Sequence, residues 1–345
     1  MRNKRIRLLS IFLIPILMLA TPLFADAKQA KENVIVVIDP GHGGTNLGAQ
    51  PIDGNLEKNM TMITALAMKA ELEKYDGVTV YLTRTSDVTM SLEERAVAAQ
   101  SVNADFLFSI HYNLSASHNF YGSEVWAQST GENYTKGYAV GKLLLDEYKT
   151  YFNTYDRGVK VKLNKKGGEY YGILRTTSER AIPAVIVEHC HLDHQNDIGY
   201  ANTIQKLQAF GLADATAVAK YFGLASPALG VDYADYPQEK IPAQAIPMIQ
   251  DLTPPELINV QMNRINQEKQ TLDITMNAVD SNTGILYYSY TADGGQTWSL
   301  LQPWTDGQMN AVTIEIPAAK SGHRLVAIRA YNGYDAMSES APVVY

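Results

Sequence analysis

The sequence predicts two kinds of structure in one chain: an α/β unit with a twisted, mainly parallel sheet flanked by helices over residues 28–224, and a small all-β sandwich over residues 256–345. Three observations predict it. From Asn33 to about Gly223, short β-branched runs alternate with stretches of helical periodicity, the pattern of a parallel sheet with crossover helices. Residues 225–255 carry Pro227, Pro237, Pro242, Pro247, Pro254 and Pro255 and little periodicity, as in an extended linker or a strap along the surface. Beyond that, strand alternation and turn signals recur with no helical pattern.

The elements follow in order. Val34 to Ile38 is a continuous apolar run, as in a strand buried on both faces. Leu56, Met60, Ile63, Leu66, Ala67, Ala70 and Leu72 share a helical stripe, predicting a helix from Leu56 to Tyr75. Val78 to Leu82 reads as a strand. Ser91 and Glu94 form a capping box that opens a helix to about Val102. Phe106 to Ile110 is a strand, Glu132 to Tyr151 a helix, Ala184 to Val187 a short strand, and Tyr200 to Phe222 a closing helix. In the C-terminal part, Leu272–Met276, Val312–Ile316 and Leu325–Tyr331 alternate, and Asp293-Gly294-Gly295 marks a hairpin turn. The run from Asp293 to Trp298 resembles a sialidase-type Asp-box turn and by itself implies no activity.

The first 27 residues read as a signal peptide. Arg2, Lys4, Arg5 and Arg7 precede an apolar run from Leu8 to Phe24, and Ala25-Asp26-Ala27 supplies the small residues of a cleavage site. The alternative is a membrane anchor, since the run approaches the length of a span. Cleavage is favoured by the Ala-x-Ala site and by Pro15 and Pro22, and predicts a soluble, exported protein without stable membrane association. The segment holds four of the 29 Lys and Arg and one of the 36 Asp and Glu, so the remainder carries 25 against 35, a net charge of −10. That excess of negative charge argues against nucleic acid as a partner. The lone Cys190 excludes an intramolecular disulfide and reads as a small buried hydrophobe.

Four residues are placed to carry chemistry. His42 lies in the loop Asp39-Pro-Gly-His-Gly-Gly44 after the first strand, whose glycines allow a tight turn. Glu57 opens the next helix. His111 and Glu188 each follow an apolar strand. Open α/β folds gather their sites at the carboxyl ends of strands, so all four would converge on one sheet edge. Two His and a Glu make a catalytic zinc set with an open position, leaving Glu188 as a base. Taken one at a time, each His reads as well as a structural residue. The two-His helical protease signature is absent, and the Gly-rich loop lacks the Lys-Ser/Thr of a phosphate-binding loop.

Read together and in order, Val-Ile-Asp39-Pro-Gly-His42-Gly-Gly, Leu56-Glu57-Lys58-Asn59, Thr83-Arg84-Thr-Ser-Asp87, Leu92-Glu-Glu-Arg95, Ala104 to Asn113, Gly122-Ser-Glu124 and Pro183 to Glu188 resemble the zinc-dependent N-acetylmuramoyl-L-alanine amidases, bacterial cell-wall hydrolases. The resemblance spans about residues 34 to 222. It implies a zinc amidase fold, one Zn2+ per chain held by His42, Glu57 and His111, and Glu188 as the general base. It implies peptidoglycan as substrate, cut between the lactyl group of N-acetylmuramic acid and L-alanine. Arg84 and Arg95 match family positions as ion-pair formers or substrate contacts. The rival readings are a zinc peptidase acting on the stem peptide and a non-catalytic wall-binding protein.

The sequence departs from the family pattern after Glu188, where it reads His189-Cys190-His191-Leu192-Asp193-His194. On an extended segment Cys190 would share the face of Glu188, with His189 and His191 on the other. Local variation around a substrate groove is favoured over a second metal site. Some relatives insert a helix that plugs the zinc site; Asn113 to Tyr121 predicts none. The C-terminal part resembles a fibronectin type III or immunoglobulin-like module, read as a spacer or as a wall-targeting element for polymer or protein.

Overall fold

A computed structural model describes residues 33–345 apart from 51–53, 116–118, 240, 306 and 317–323. The signal-peptide reading of residues 1–27 lies outside the described residues. Asn33–Tyr345 form one compact unit.

The α/β part is built on a six-stranded sheet: β1 (Val34–Pro40), β2 (Val78–Leu82), β3 (Phe106–Asn113), β4 (Ser123–Ala127), β5 (Asp156–Lys160) and β6 (Ala184–His191), in the order β2-β1-β3-β6-β4-β5. The pairs β1–β2, β1–β3, β3–β6 and β4–β5 are parallel, and β4–β6 is antiparallel. The sheet is thus mainly parallel, as expected. Its inner strands β1, β3, β6 and β4 are buried on both faces, so side chains of period two feed two cores. Val36, Ile38, Phe106, Phe108, Val185 and Val187 pack with α1 (Glu57–Leu72), α3 (Gly131–Phe152) and α6 (Ile204–Phe222). Val37, Leu107, Ala184 and Ile186 turn the other way, against Ala99 of α2 (Leu92–Ser101) and Ile173 and Leu174 of α4 (Gly172–Ser178).

Local chemistry sets the helix ends. Ser91 and Glu94 make both bonds of the capping box at the start of α2. The expected closing helix is two helices. α5 (Gln195–Ala201) ends at Asn202, and Thr203 caps α6 by accepting from the Lys206 N–H, so the hydroxyl starts a new helix where periodicity alone reads as continuous. The expected strand at Ala184–Val187 continues to His191, which places Glu188 within β6.

After α6 come a two-residue pair, β7 (Ala225–Ser226) and β8 (Val231–Asp232), and a segment that runs along the α/β part. Gly131 N donates to Gln244 O, Met248 N to Ser129 O and Leu163 N to Gln250 Oε1. The C-terminal part holds β9 (Leu257–Asn266), β10 (Thr271–Val279), β11 (Ile285–Thr291), β12 (Gln302–Pro303), β13 (Met309–Glu315), β14 (Leu325–Asn332), β15 (Met337–Glu339) and β16 (Val343–Val344). One sheet runs β13-β10-β9 and the other β12-β11-β14-β15, with β16 beside β14. Leu272, Ile274 and Met276 of the first share a core with Val326, Ile328 and Ala330 of the second, the arrangement of a sandwich. No helix among the described residues is long and apolar enough to cross a membrane.

Candidate metal centre and active site

The sheet brings the predicted residues to the carboxyl ends of β1, β3 and β6. Among the described residues, His42, Glu57 and His111 form a three-donor group whose ligand atoms all lie within 4.8 Å of one another. Glu57 is the hub. Its Oε2 is 3.0 Å from His42 Nε2, and its Oε1 is 3.1 Å from His111 Nδ1. Backbone N–H groups complete the carboxylate: Ala49 N donates to Oε2 at 2.6 Å and Tyr112 N to Oε1 at 3.0 Å. Burial works to raise the Glu57 pKa, but the hydrogen bonds from His111 and His42 outweigh it and hold the carboxyl below the ordinary range.

The loop that carries His42 is strained and braced. His42 has φ 61°, a left-handed conformation costing a non-glycine residue roughly 1–3 kcal/mol. Its carbonyl accepts from Arg95 Nη2 at 2.6 Å, and its Nδ1 sits 2.9 Å from Asn46 Oδ1, which leaves Nε2 facing Glu57. Two glycines make room. A Cβ on Gly41 would lie 2.3 Å from His111 Cε1, and one on Gly48 (φ +73°) would lie 2.5 Å from Glu57 Oε2 and 2.7 Å from His42 Cδ2.

Arg84 and Arg95 are buried bracing groups in this geometry. Arg84 donates to the carbonyls of Pro40, Gly41 and Lys58. Arg95 pairs with Asp39 at 2.6 Å and also holds Pro40 O. Asp39 in turn accepts from Thr83 and Ser109. Both arginines therefore fasten the turn after β1 to α1 and α2.

Glu188 stands beside His111 in the parallel register of β6 and β3. The residue is partly exposed, yet its Oε2 is buried and meets no hydrogen-bond partner. Burial raises its pKa well above the ordinary carboxylate value, and the neighbouring Glu57 and Glu124 carboxylates add to the effect. Glu124 sits opposite Glu188 on β4 but is fully paired: Asn113 Nδ2 and Trp126 Nε1 donate to Oε1, and Arg157 Nε and Lys160 Nζ to Oε2. The sequence marks Glu124 as part of a motif, but no local pattern points to Arg157 or Lys160 as its partners.

The expected alternation after Glu188 does not hold. His111 pairs with Glu188 and Asn113 with His191, so His189 and Cys190 both oppose Tyr112, a bulge in β6. Cys190 accordingly packs in the helix-covered core with Val187 instead of sharing the face of Glu188. His189 is fully buried, with Nδ1 2.8 Å from His111 O and Nε2 3.0 Å from Asp214 Oδ2. His191 Nδ1 faces Gly122 O, and His194 stacks on Tyr121. Among the described residues none of the three joins a metal-binding group. The described residues between Asn113 and Tyr121 include no helix.

The donor set suits a zinc ion. Two imidazole nitrogens and a carboxylate oxygen are typical catalytic zinc ligands, and bonds of roughly 2.0–2.1 Å in a tetrahedron put donors about 3.3 Å apart. The observed 3.0 and 3.1 Å separations are close to that. The unpartnered Glu188 oxygen beside it is the kind of group that a nearby water or substrate would satisfy.

The chain is similar to several known proteins. The family model described as N-acetylmuramoyl-L-alanine amidase matches residues 36–220. The N-acetylmuramoyl-L-alanine amidase CwlM of Bacillus licheniformis is 33% identical over 196 residues, 56% of this chain and 71% of that protein. The sporulation-specific N-acetylmuramoyl-L-alanine amidase of Bacillus subtilis is 32% identical over 195 residues, 55% of this chain and 69% of the relative. Among solved structures, Cwp6 from Clostridium difficile superposes with a TM-score of 0.51 at 32% identity, over 55% of this chain and 29% of that one. On these matches the chain belongs to the N-acetylmuramoyl-L-alanine amidase family.

Proposed function

We propose that this protein is a zinc-dependent N-acetylmuramoyl-L-alanine amidase that hydrolyses the amide between the lactyl group of N-acetylmuramic acid and L-alanine in peptidoglycan. The observation that carries the proposal is the position of Glu188: a carboxylate with an unpartnered buried oxygen, in register with His111 and adjacent to the His42–Glu57–His111 donor set.

His42, Glu57 and His111 would hold the ion, with Nε2 of His42, a carboxylate oxygen of Glu57 and Nδ1 of His111 as donors. A zinc ion held there would supply Lewis acidity that lets water be deprotonated near neutral pH. Glu188 takes the proton from the attacking water and returns it to the departing alanine nitrogen. The water oxygen bonds to the lactyl carbonyl carbon, the C–N bond breaks, and a lactyl carboxylate and a free α-amino group result. A base that must hold and release that proton benefits from the raised proton affinity that burial and the adjacent carboxylates give Glu188.

Residues 28–224 are the catalytic part in this reading, 225–255 the strap and 256–345 the sandwich. The N-terminal 27 residues direct export, and the protein works in the cell wall. Digestion of purified peptidoglycan followed by mass spectrometry tests the bond cut. The expected products are stem peptides with a free N-terminal L-alanine and glycan strands with intact lactyl groups. Peptides shortened within the stem would overturn the assignment in favour of a peptidase.

A further inference from the structure

The sandwich meets the α/β part along β5, the edge strand of the catalytic sheet. Tyr334 OH accepts from Val161 N at 3.0 Å, Tyr287 OH donates to Tyr121 O, and Tyr155 OH donates to Leu286 O. Phe120 and Tyr155 pack with Tyr287, Leu286 and Tyr331 in a small mixed core. Buried within this contact is Arg157, 4% exposed. Its guanidinium is divided between the two parts. Nε points to Glu124 Oε2 at 2.8 Å, Nη1 donates to Tyr287 OH at 3.0 Å, and Nη2 donates to both oxygens of Asp335 at 3.1 and 3.0 Å.

A guanidinium is a rigid planar fork, so fixing both Nη groups fixes the direction of Nε. The residue so aimed at, Glu124, lies across the β4–β6 pair from Glu188. Directly opposed cross-strand side chains have Cβ atoms roughly 5 Å apart, and like charges so placed repel, so where Glu124 is held bears on where the Glu188 carboxylate sits. Lys160, the second cation on Glu124, lies 5.7 Å from the ring centroid of Tyr334, which also comes from the sandwich.

We infer that the C-terminal sandwich is a working part of the catalytic centre: its Asp335 and Tyr287 hold Arg157 against Glu124, and Glu124 in turn positions Glu188. Asp335, Tyr287, Arg157 and Glu124 are positioning residues, since none of them touches the three-donor group. The inference rests on the reading of Glu188 as the base. It accounts for a charge cluster with four members, the buried Glu124, Arg157 and Lys160 of the α/β part and the partly exposed Asp335 of the sandwich.

Asp335→Asn in the full chain tests it. Asp335 has φ 66°, a conformation that Asn tolerates, so the turn survives while the charge and the two-oxygen acceptor are lost. Misplacing a reacting group from a distance costs at least about tenfold in rate, so kcat on a soluble muropeptide should fall by that much with KM and bound zinc unchanged. Tyr155→Phe, which removes a hydrogen bond to the sandwich without touching Arg157, should keep the wild-type kcat. Should Asp335→Asn fail to fold, Tyr287→Phe is expected to lower kcat in the same way. The inference is overturned by a wild-type kcat in the Asp335 or Tyr287 variant. Equal losses in Tyr155→Phe and Asp335→Asn would overturn it as well, because docking alone would then matter. Glu188→Gln is assayed alongside. If it stays active, the base reading itself falls; if it is inactive while Asp335→Asn matches wild type, only the sandwich inference falls.

Discussion

Glu188 stands directly opposite Glu124 in the antiparallel register of β6 and β4, yet the two carboxylates have opposite surroundings. Arg157 and Lys160 clasp Glu124, whereas Glu188 keeps a buried oxygen with no hydrogen-bond partner. Two neighbouring carboxylates in such unequal environments divide their roles: one stays ionised, and the other takes and gives the proton. The asymmetry supports the proposed role of Glu188 as the base, and it ties the stability of the fold to the chemistry of the site.

The first prediction concerns Glu124 and pH. Burial works to raise its pKa, but Lys160 and Arg157 outweigh that and hold it well below the ordinary value. The folded pKa therefore lies below the unfolded one, so its stabilisation is complete above about pH 4.3 and is lost as pH falls further. Urea unfolding at pH 7 should find Glu124→Gln less stable than wild type by roughly 3–5 kcal/mol, the cost of breaking a buried ion cluster. The gap should shrink as pH is lowered below 4. A gap that stays constant with pH would show that packing, not charge, is what the substitution removes.

Gly48→Ala should weaken metal binding. The added Cβ meets Glu57 and His42 at once, on a backbone whose positive φ already disfavours alanine. Competition with a chelator should reveal zinc affinity lowered by at least about tenfold, the scale seen when groups around a metal's ligands are disturbed. Unchanged affinity would mean that the loop moves freely and does not hold the donors in place.

Asp214 supports the site from beneath. It accepts from Tyr148 OH and faces His189 Nε2, while His189 Nδ1 meets the carbonyl of His111. Asp214→Ala would strand two buried polar groups at a cost of roughly 3 kcal/mol. Thermal and urea unfolding measure it. A loss below about 1 kcal/mol would mean that the pocket rearranges to satisfy both groups.

The approach of His42, Glu57 and His111 is legible in the sequence because each residue sits at a strand end, a glycine turn or a helix start, all of which are local signals. The parallel sheet is legible for the same reason, from β-branched runs such as Val34–Ile38. Other features are not. β5 is Asp156-Arg-Gly-Val-Lys160, too polar to announce a strand, because Arg157 and Lys160 serve an ion cluster and only Val159 packs against the core. Arg157 and Asp335 are 178 residues apart, and nothing in the periodicity around either one predicts their contact. The bulge that places both His189 and Cys190 opposite Tyr112 defeats simple alternation, since pairing register is a tertiary property.

The most direct test of the central claim is a paired measurement on wild type and Glu188→Gln: bound zinc per chain, and the rate at which new N-terminal L-alanine appears from purified peptidoglycan. The glutamine keeps the shape of the side chain but cannot take up the proton. The account predicts about one zinc in both proteins and a rate in the variant lower by at least about a hundredfold, the usual scale for loss of a general base. A variant that keeps zinc and cleaves at near the wild-type rate would contradict it.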